Sequence, residues 1–266
     1  MPLILTPITN DNFIGYTIEI HDIDKLANLV SKLLASRYLH VMKILKEDEV
    51  GETTISDPVF EQIVGYLDVP ALDSNPTKNT KRYHRDGWIF QMISWIALHE
   101  SSSNNTGLSI PHYAPAKTGF DALAVNYGDG AIGHVLICED KAAEESRRHV
   151  RDNVWSEFSD CESGKSDRQL ISDVCGILSN IGAQYIEEII ENINWKDCRR
   201  YRVTVTIDDD STSVQRKIFK GYETCVFGDI ERRRADTMYC PDLRLWMDGF
   251  TMKILNALKE LRGENV

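Results

Sequence analysis

Two short apolar runs, Phe120–Tyr127 and Ile132–Cys138, flank Gly128-Asp129-Gly130, and no other stretch of the chain restricts the fold as much. Gly-Asp-Gly is a tight-turn signal and the flanking runs are rich in Ala, Leu, Val and Ile, so the pattern predicts an antiparallel hairpin. Closing the hairpin at the turn brings the start of its first strand and the end of its second to the same open end. Asp121 stands on one side of that end and Glu139-Asp140-Lys141 on the other. Side chains alternate along a strand, which sends Glu139 and Lys141 to one face and Asp140 to the opposite face. Paired carboxylates suit a hard cation such as Mg²⁺, and a lysine beside the cation can orient or deprotonate a water for attack on a phosphodiester.

An aspartate, a turn-linked strand and Glu-x-Lys, in that order, resemble the PD-(D/E)xK nuclease superfamily. The residue before Asp121 is Phe120 rather than proline, with Lys117-Thr118-Gly119 supplying the turn. The length, the acidic balance, the Gly119-Phe120-Asp121 lead-in and the Glu139-Asp140-Lys141 triplet are most similar to nuclease subunits of the Hachiman type of bacterial antiphage system, which work with a helicase subunit. The nuclease resemblance spans roughly residues 83–206 by motif order. It implies an α/β (α+β) fold with a restriction-endonuclease-like core, a mixed sheet flanked by helices, in residues 76–266. It implies catalysis by Asp121, Glu139 and Lys141, with Mg²⁺ or Mn²⁺ held by Asp121, Glu139 and the backbone carbonyl of Asp140. The activity implied is that of a metal-dependent DNA endonuclease or nickase, with DNA and a helicase subunit as partners in a hetero-oligomer. In this superfamily the helix ahead of the strands often adds a carboxylate. Here the choices are Asp86 and Glu100 at the two ends of a helix expected over 84–100, with Gln91 the metal-capable polar side chain between them. Each has a plain alternative: a first-turn charge for Asp86, a solvated end for Glu100 and a polar face for Gln91. A reading from another class is a non-catalytic subunit that keeps the fold and docks or regulates a helicase.

Composition limits the alternatives. The chain has 266 residues, 42% of them hydrophobic, enough to bury one large core or a core with an appendage. Its 41 acidic and 30 basic side chains leave a net charge of −11, which argues against a freely acting, high-affinity nucleic-acid binder. Basic residues do gather at 78–85, 147–151, 199–202 and 232–234, each by default a solvated charged face. The six cysteines show no C-x-x-C spacing, which argues against a zinc site or a disulfide framework and for a reducing compartment. No apolar stretch is long enough for a membrane span and the first residues carry no basic leader, so the expectation is a cytoplasmic protein without membrane contact. A third reading, a substrate-binding α/β protein of another kind in which the Asp and Glu-x-Lys pattern is fortuitous, finds no G-x-S-x-G elbow to support it.

Along the chain, residues 1–75 read as a small N-terminal α/β lobe: a strand at 13–20, a helix at 22–36, a strand at 38–45 and a short helix at 58–66. Asp22 and Asp24 read as helix-start residues rather than metal ligands. The polar stretch 71–80 is the candidate boundary. Then follow the helix over 84–100, a strand over 109–113 bent by Pro111, the hairpin, a helix over 142–158, a break at 160–164 and a long helix over 166–192 with core positions including Leu170, Val174, Ile177, Ile181 and Tyr185. A half-buried strand is expected over 198–207, a solvated turn at Asp208-Asp209-Asp210, a strand over 217–227, a closing helix over 243–261 and a frayed tail over 262–266.

Overall fold

The computed structural model describes residues 1–184, 186–192, 195–209 and 211–263. Seven strands, β1 (Leu3–Thr9), β2 (Ile14–Ile20), β3 (Thr106–Leu108), β4 (Ala122–Gly128), β5 (Ala131–Lys141), β6 (Arg199–Ile207) and β7 (Arg233–Tyr239), form one mixed sheet in the order β1-β2-β7-β6-β5-β4-β3. β2, β7, β6 and β5 run parallel, while β1 on one side and β4 and β3 on the other pair antiparallel. The expected hairpin is β4 and β5. Asp129 and Gly130 both take positive φ, 53° and 76°, as a tight two-residue turn requires.

Alternation along β5 divides the interior into two cores, one on each face of the sheet. Leu136 and Cys138 face α1 (Ile23–Leu34), α2 (Tyr38–Leu45), α3 (Asp57–Leu67), α4 (Thr80–Glu100) and, from the end of the chain, α12 (Leu243–Arg262). Val135 and Ile137 face the other layer. Its helices are α5 (Ser146–His149), α6 (Trp155–Glu162), α7 (Asp167–Asn180), α8 (Ile186–Asn192), α9 (Trp195–Cys198), α10 (Thr212–Ile218) and α11 (Tyr222–Cys225), with Phe158, Leu170 and Val174 at the centre. The middle of α4 is apolar on most sides, with Trp88, Ile89, Phe90, Met92, Ile93 and Trp95 all buried, as expected for a helix enclosed by protein. Residues 1–75 add β1 and β2 to the common sheet through β7, and Leu26, Leu29 and Val30 of α1 enter the same core as α4 and α12.

Several elements differ from the sequence expectation for physical reasons. Residues 38–45 are helical: Val41 and Leu45, four apart, are the buried pair, whereas a strand would have placed Lys43 on their face. Residues 109–113 are not a strand. Ser109 Oγ accepts from the Leu123 N–H, ending the ladder, and the carbonyls of Ser109 and His112 accept from the indoles of Trp95 and Trp88. The segment 142–158 becomes helical only at Ser146, passes through a wide π turn at 150–154 and continues to Glu162. The long helix divides after Asn180, where Ile181 is exposed and Gly182 takes φ 72°; Tyr185 lies outside the described residues. Residues 217–227 are not a strand: they hold the end of α10 and the whole of α11, with Gly221 at φ 95° in the turn between them. Strand β6 is buried on both faces, Arg202, Thr204 and Thr206 included, because β5 and β7 flank it and helices cover both sides. Asp210 and the tail over 264–266 also lie outside the described residues.

Candidate active site at the end of the β4–β5 hairpin

Asp121 immediately precedes β4, and Glu139, Asp140 and Lys141 are the last residues of β5, so the open end of the hairpin holds all four. The Asp140 N–H donates to Asp121 Oδ2 at 2.7 Å, tying the loop to the strand end. Lys141 Nζ donates to Glu139 Oε2 at 2.9 Å and lies 3.9 Å from both Asp121 Oδ2 and Glu157 Oε2 of α6. Three carboxylates therefore surround one ammonium. Burial opposes the charge on Lys141, but Glu139, Asp121 and Glu157 override it and hold the ammonium above the usual lysine range. Glu139 is driven the other way: burial, and then the neighbouring Asp121 charge, push its carboxyl well above the ordinary value against the pull of Lys141.

Asp140 turns to the opposite face, as strand alternation requires. Its Oδ1 accepts from Ser94 Oγ of α4 at 2.6 Å, Arg202 Nη1 lies 4.0 Å away, and its Oδ2 is buried without a hydrogen-bond partner. Burial raises its pKa to about 6 although Arg202 opposes the rise. Arg202 in turn donates to Asp236 Oδ2 at 2.6 Å. Burial pushes the Asp236 carboxyl up, but Arg234 and Arg202 outweigh it and hold its pKa below the usual aspartate value. On α4, Gln91 and Ser94 are three residues apart and share a face. Gln91 Nε2 donates to Asp121 Oδ1, so one helix face positions the aspartates on both sides of the hairpin end.

The two extra carboxylates go elsewhere. Asp86 is fully buried and paired with Arg85 and Arg244. Glu100 lies nine residues beyond Gln91 at the far end of α4, beside Met42, Leu45 and His99, where burial raises its carboxyl to about 7. Neither joins Asp121 and Glu139. The basic clusters are largely consumed by the fold: Arg82 and Arg85 pair with Asp248, Arg199 with Asp167, and Arg232 with Glu162, while Arg147 and Arg233 bind backbone carbonyls.

Glu157, Ser94 and Asp236 were absent from the sequence reading. Nothing in their local sequence marks them, because each reaches the site from a different element. Gly128, Gly130 and Gly133 have the spacing of a dinucleotide-binding loop but close a hairpin, and no helix N-terminus follows to receive a phosphate. Among the described residues, no group of three or more His, Cys, Asp or Glu side chains is arranged to hold a metal ion, and no helix is long and apolar enough to cross a membrane. Comparisons with protein-family models, curated proteins and solved structures find no match.

Proposed function

We propose that the chain is a Mg²⁺-dependent phosphodiesterase of the PD-(D/E)xK type that cleaves DNA, with Asp121, Glu139 and Lys141 as its catalytic set. The observation that carries this reading is the gathering of a buried carboxylate, Glu139, with the half-buried Asp121 carboxylate and Lys141 ammonium at the open hairpin end. Two carboxylates and a carbonyl are a sufficient protein share for Mg²⁺, which keeps several waters. The donor set fits. Asp121 and Glu139 are oxygen ligands whose mutual repulsion a cation would relieve, and the Asp140 carbonyl lies on the strand edge that its N–H already presents to Asp121. When bound, the cation would activate a water and neutralise charge on the scissile phosphate.

The protein side chains have separate tasks. Gln91 and the Asp140 N–H fix the Asp121 carboxylate, leaving its remaining lone pairs for a cation. Lys141, held charged by its three acidic neighbours, orients the attacking water and stabilises negative charge on the phosphate rather than accepting a proton. A helicase-docking subunit without catalysis is the alternative reading.

Cleavage of supercoiled plasmid in Mg²⁺ or Mn²⁺ tests the proposal. Glu139→Ala and Lys141→Ala should each abolish nicking with the circular dichroism spectrum unchanged, whereas Asp140→Asn and Glu100→Gln should retain most of it. Full activity in both of the first two variants would remove the site from consideration.

A further inference from the structure

At the other end of the parallel strands, on the face that carries α4, the helix ends at Glu100, and Arg234 of β7 meets Ser101 just beyond it. A cavity of about 320 Å³ crosses the sheet there from β5 to β1. One half is basic: Arg200 of β6 and Arg234 of β7 line it, with His134 of β5 between their strands and β4. The other half is mainly apolar, formed by Ile14 and the Tyr16 ring of β2 with Thr9 and Pro7 of β1 opposite them. This place is separate from the candidate active site, since Glu139 and Lys141 lie at the opposite end of β5 and on its other face.

The Arg200 guanidinium is unusual in this chain. The other partly buried arginines named above bind a carboxylate or backbone carbonyls, but among the described residues Arg200 has no such side-chain partner, although it is partly buried. None of its nitrogens is sealed from solvent, so the guanidinium opens into the cavity with its donors free for an anion. Arg234 is anchored by Asp236 and by Ser101 Oγ and stacks over the Tyr16 ring at 4.8 Å, which aims a second rigid guanidinium along the cavity wall. Beside them, burial and Arg200 lower the His134 pKa to about 4, so the imidazole is neutral near pH 7 and adds a polar, uncharged edge. Glu231 is the acidic residue at the rim.

We propose that this cavity binds a small organic phosphate of nucleotide size, its phosphate on Arg200 and Arg234 and its flat apolar body on Tyr16 and Ile14. The planar Arg200 fork matches phosphate oxygens in bidentate geometry, Arg234 adds the Nη1 edge that Asp236 and Ser101 leave free, and the volume suits a ligand of that size. The inference stands independently of the nuclease reading.

Isothermal titration of the full chain in EDTA at low salt, with AMP, adenosine and inorganic phosphate as probes, tests it. AMP should bind, and adenosine and phosphate should each bind at least about tenfold more weakly, because each engages only half of the cavity. Arg200→Ala and Arg200→Lys should weaken AMP about tenfold or more through loss of the bidentate contact, and Glu231→Gln should tighten it by removing rim repulsion. Should Arg200→Ala fail to fold, Arg200→Lys and Glu231→Gln decide the matter. Absence of AMP binding at millimolar concentration, AMP binding indifferent to the Arg200 variants, or phosphate binding as tightly as AMP would each overturn the proposal.

Discussion

Asp140 shows how one residue serves two faces of a strand. Its backbone fixes Asp121 on the site side, while its carboxyl is buried against Ser94 and within reach of Arg202 behind the sheet. Its folded-state pKa, about 6, lies above the ordinary aspartate value of 3.8 because burial disfavours the charge. A raised acid favours folding while protonated, so this contribution is present below about pH 4 and is lost as the pH rises through about 6. Asp140→Asn should therefore gain stability relative to the parent chain between pH 4 and pH 7, by on the order of 2–3 kcal/mol. Urea denaturation of both proteins across that range measures the difference, and a constant gap would contradict the assignment. Gln91 makes a complementary case: Gln91→Ala removes one of two anchors on Asp121 without touching the hydrogen bond between Lys141 and Glu139. It should lower nicking by about tenfold while raising the Mg²⁺ concentration needed, a partial loss that distinguishes positioning from ligation.

At the scale of elements, the sheet depends on a close approach between β2 and β7. A Cβ on Gly15 would stand 1.9 Å from the Ala235 carbonyl oxygen, and next to it the Tyr16 N–H bonds to the Asp236 side chain rather than to the β7 backbone. Gly15→Ala must push the strands apart, so a loss of about 1–3 kcal/mol in denaturant unfolding is expected, with the urea midpoint as the measurement. The same region explains what the sequence conceals. The hairpin was legible because Gly-Asp-Gly between apolar runs is a local signal, and with it came Asp121, Glu139 and Lys141 on neighbouring strand ends. β7 was not legible: Arg233-Arg234-Ala235-Asp236-Thr237 reads as surface, yet Arg233, Asp236 and Thr237 are buried, and the two charges are met from afar, Arg233 by the Asn12 carbonyl and Asp236 by Arg202. Arg202 misled in the same way, since alternating Arg and Thr imitate a solvent face until a second layer of helices covers them. β1 escaped notice because Pro2 precedes it and Pro7 lies within it, and proline is tolerated there because β1 is an edge strand. Polar elements that are buried through long-range pairing leave no periodic trace, whereas apolar ones do.

For the whole molecule, the decisive quantity is charge and where it is spent. With 41 acidic and 30 basic side chains, the chain repels a polyanion at long range, and many of its arginines are already bound to its own carboxylates and carbonyls. The carboxylates of the candidate site add to that repulsion until a cation occupies it. On the proposed nuclease reading, such a chain needs help to hold DNA. We therefore expect the isolated chain to bind and nick DNA weakly and a helicase subunit to supply the missing phosphate contacts, in keeping with the proposed function. The measurement is cleavage and binding by the chain alone and with a helicase co-expressed from the same locus, across a salt series. For the chain alone, affinity should be low and should fall only gently with salt, because few phosphates are neutralised. With the helicase, affinity should rise by about a hundredfold or more and its salt slope should steepen as further phosphate contacts release counterions. Rapid cleavage by the chain alone at physiological salt, unchanged by the helicase, would mean that a basic groove on this chain suffices and that the partner has another role.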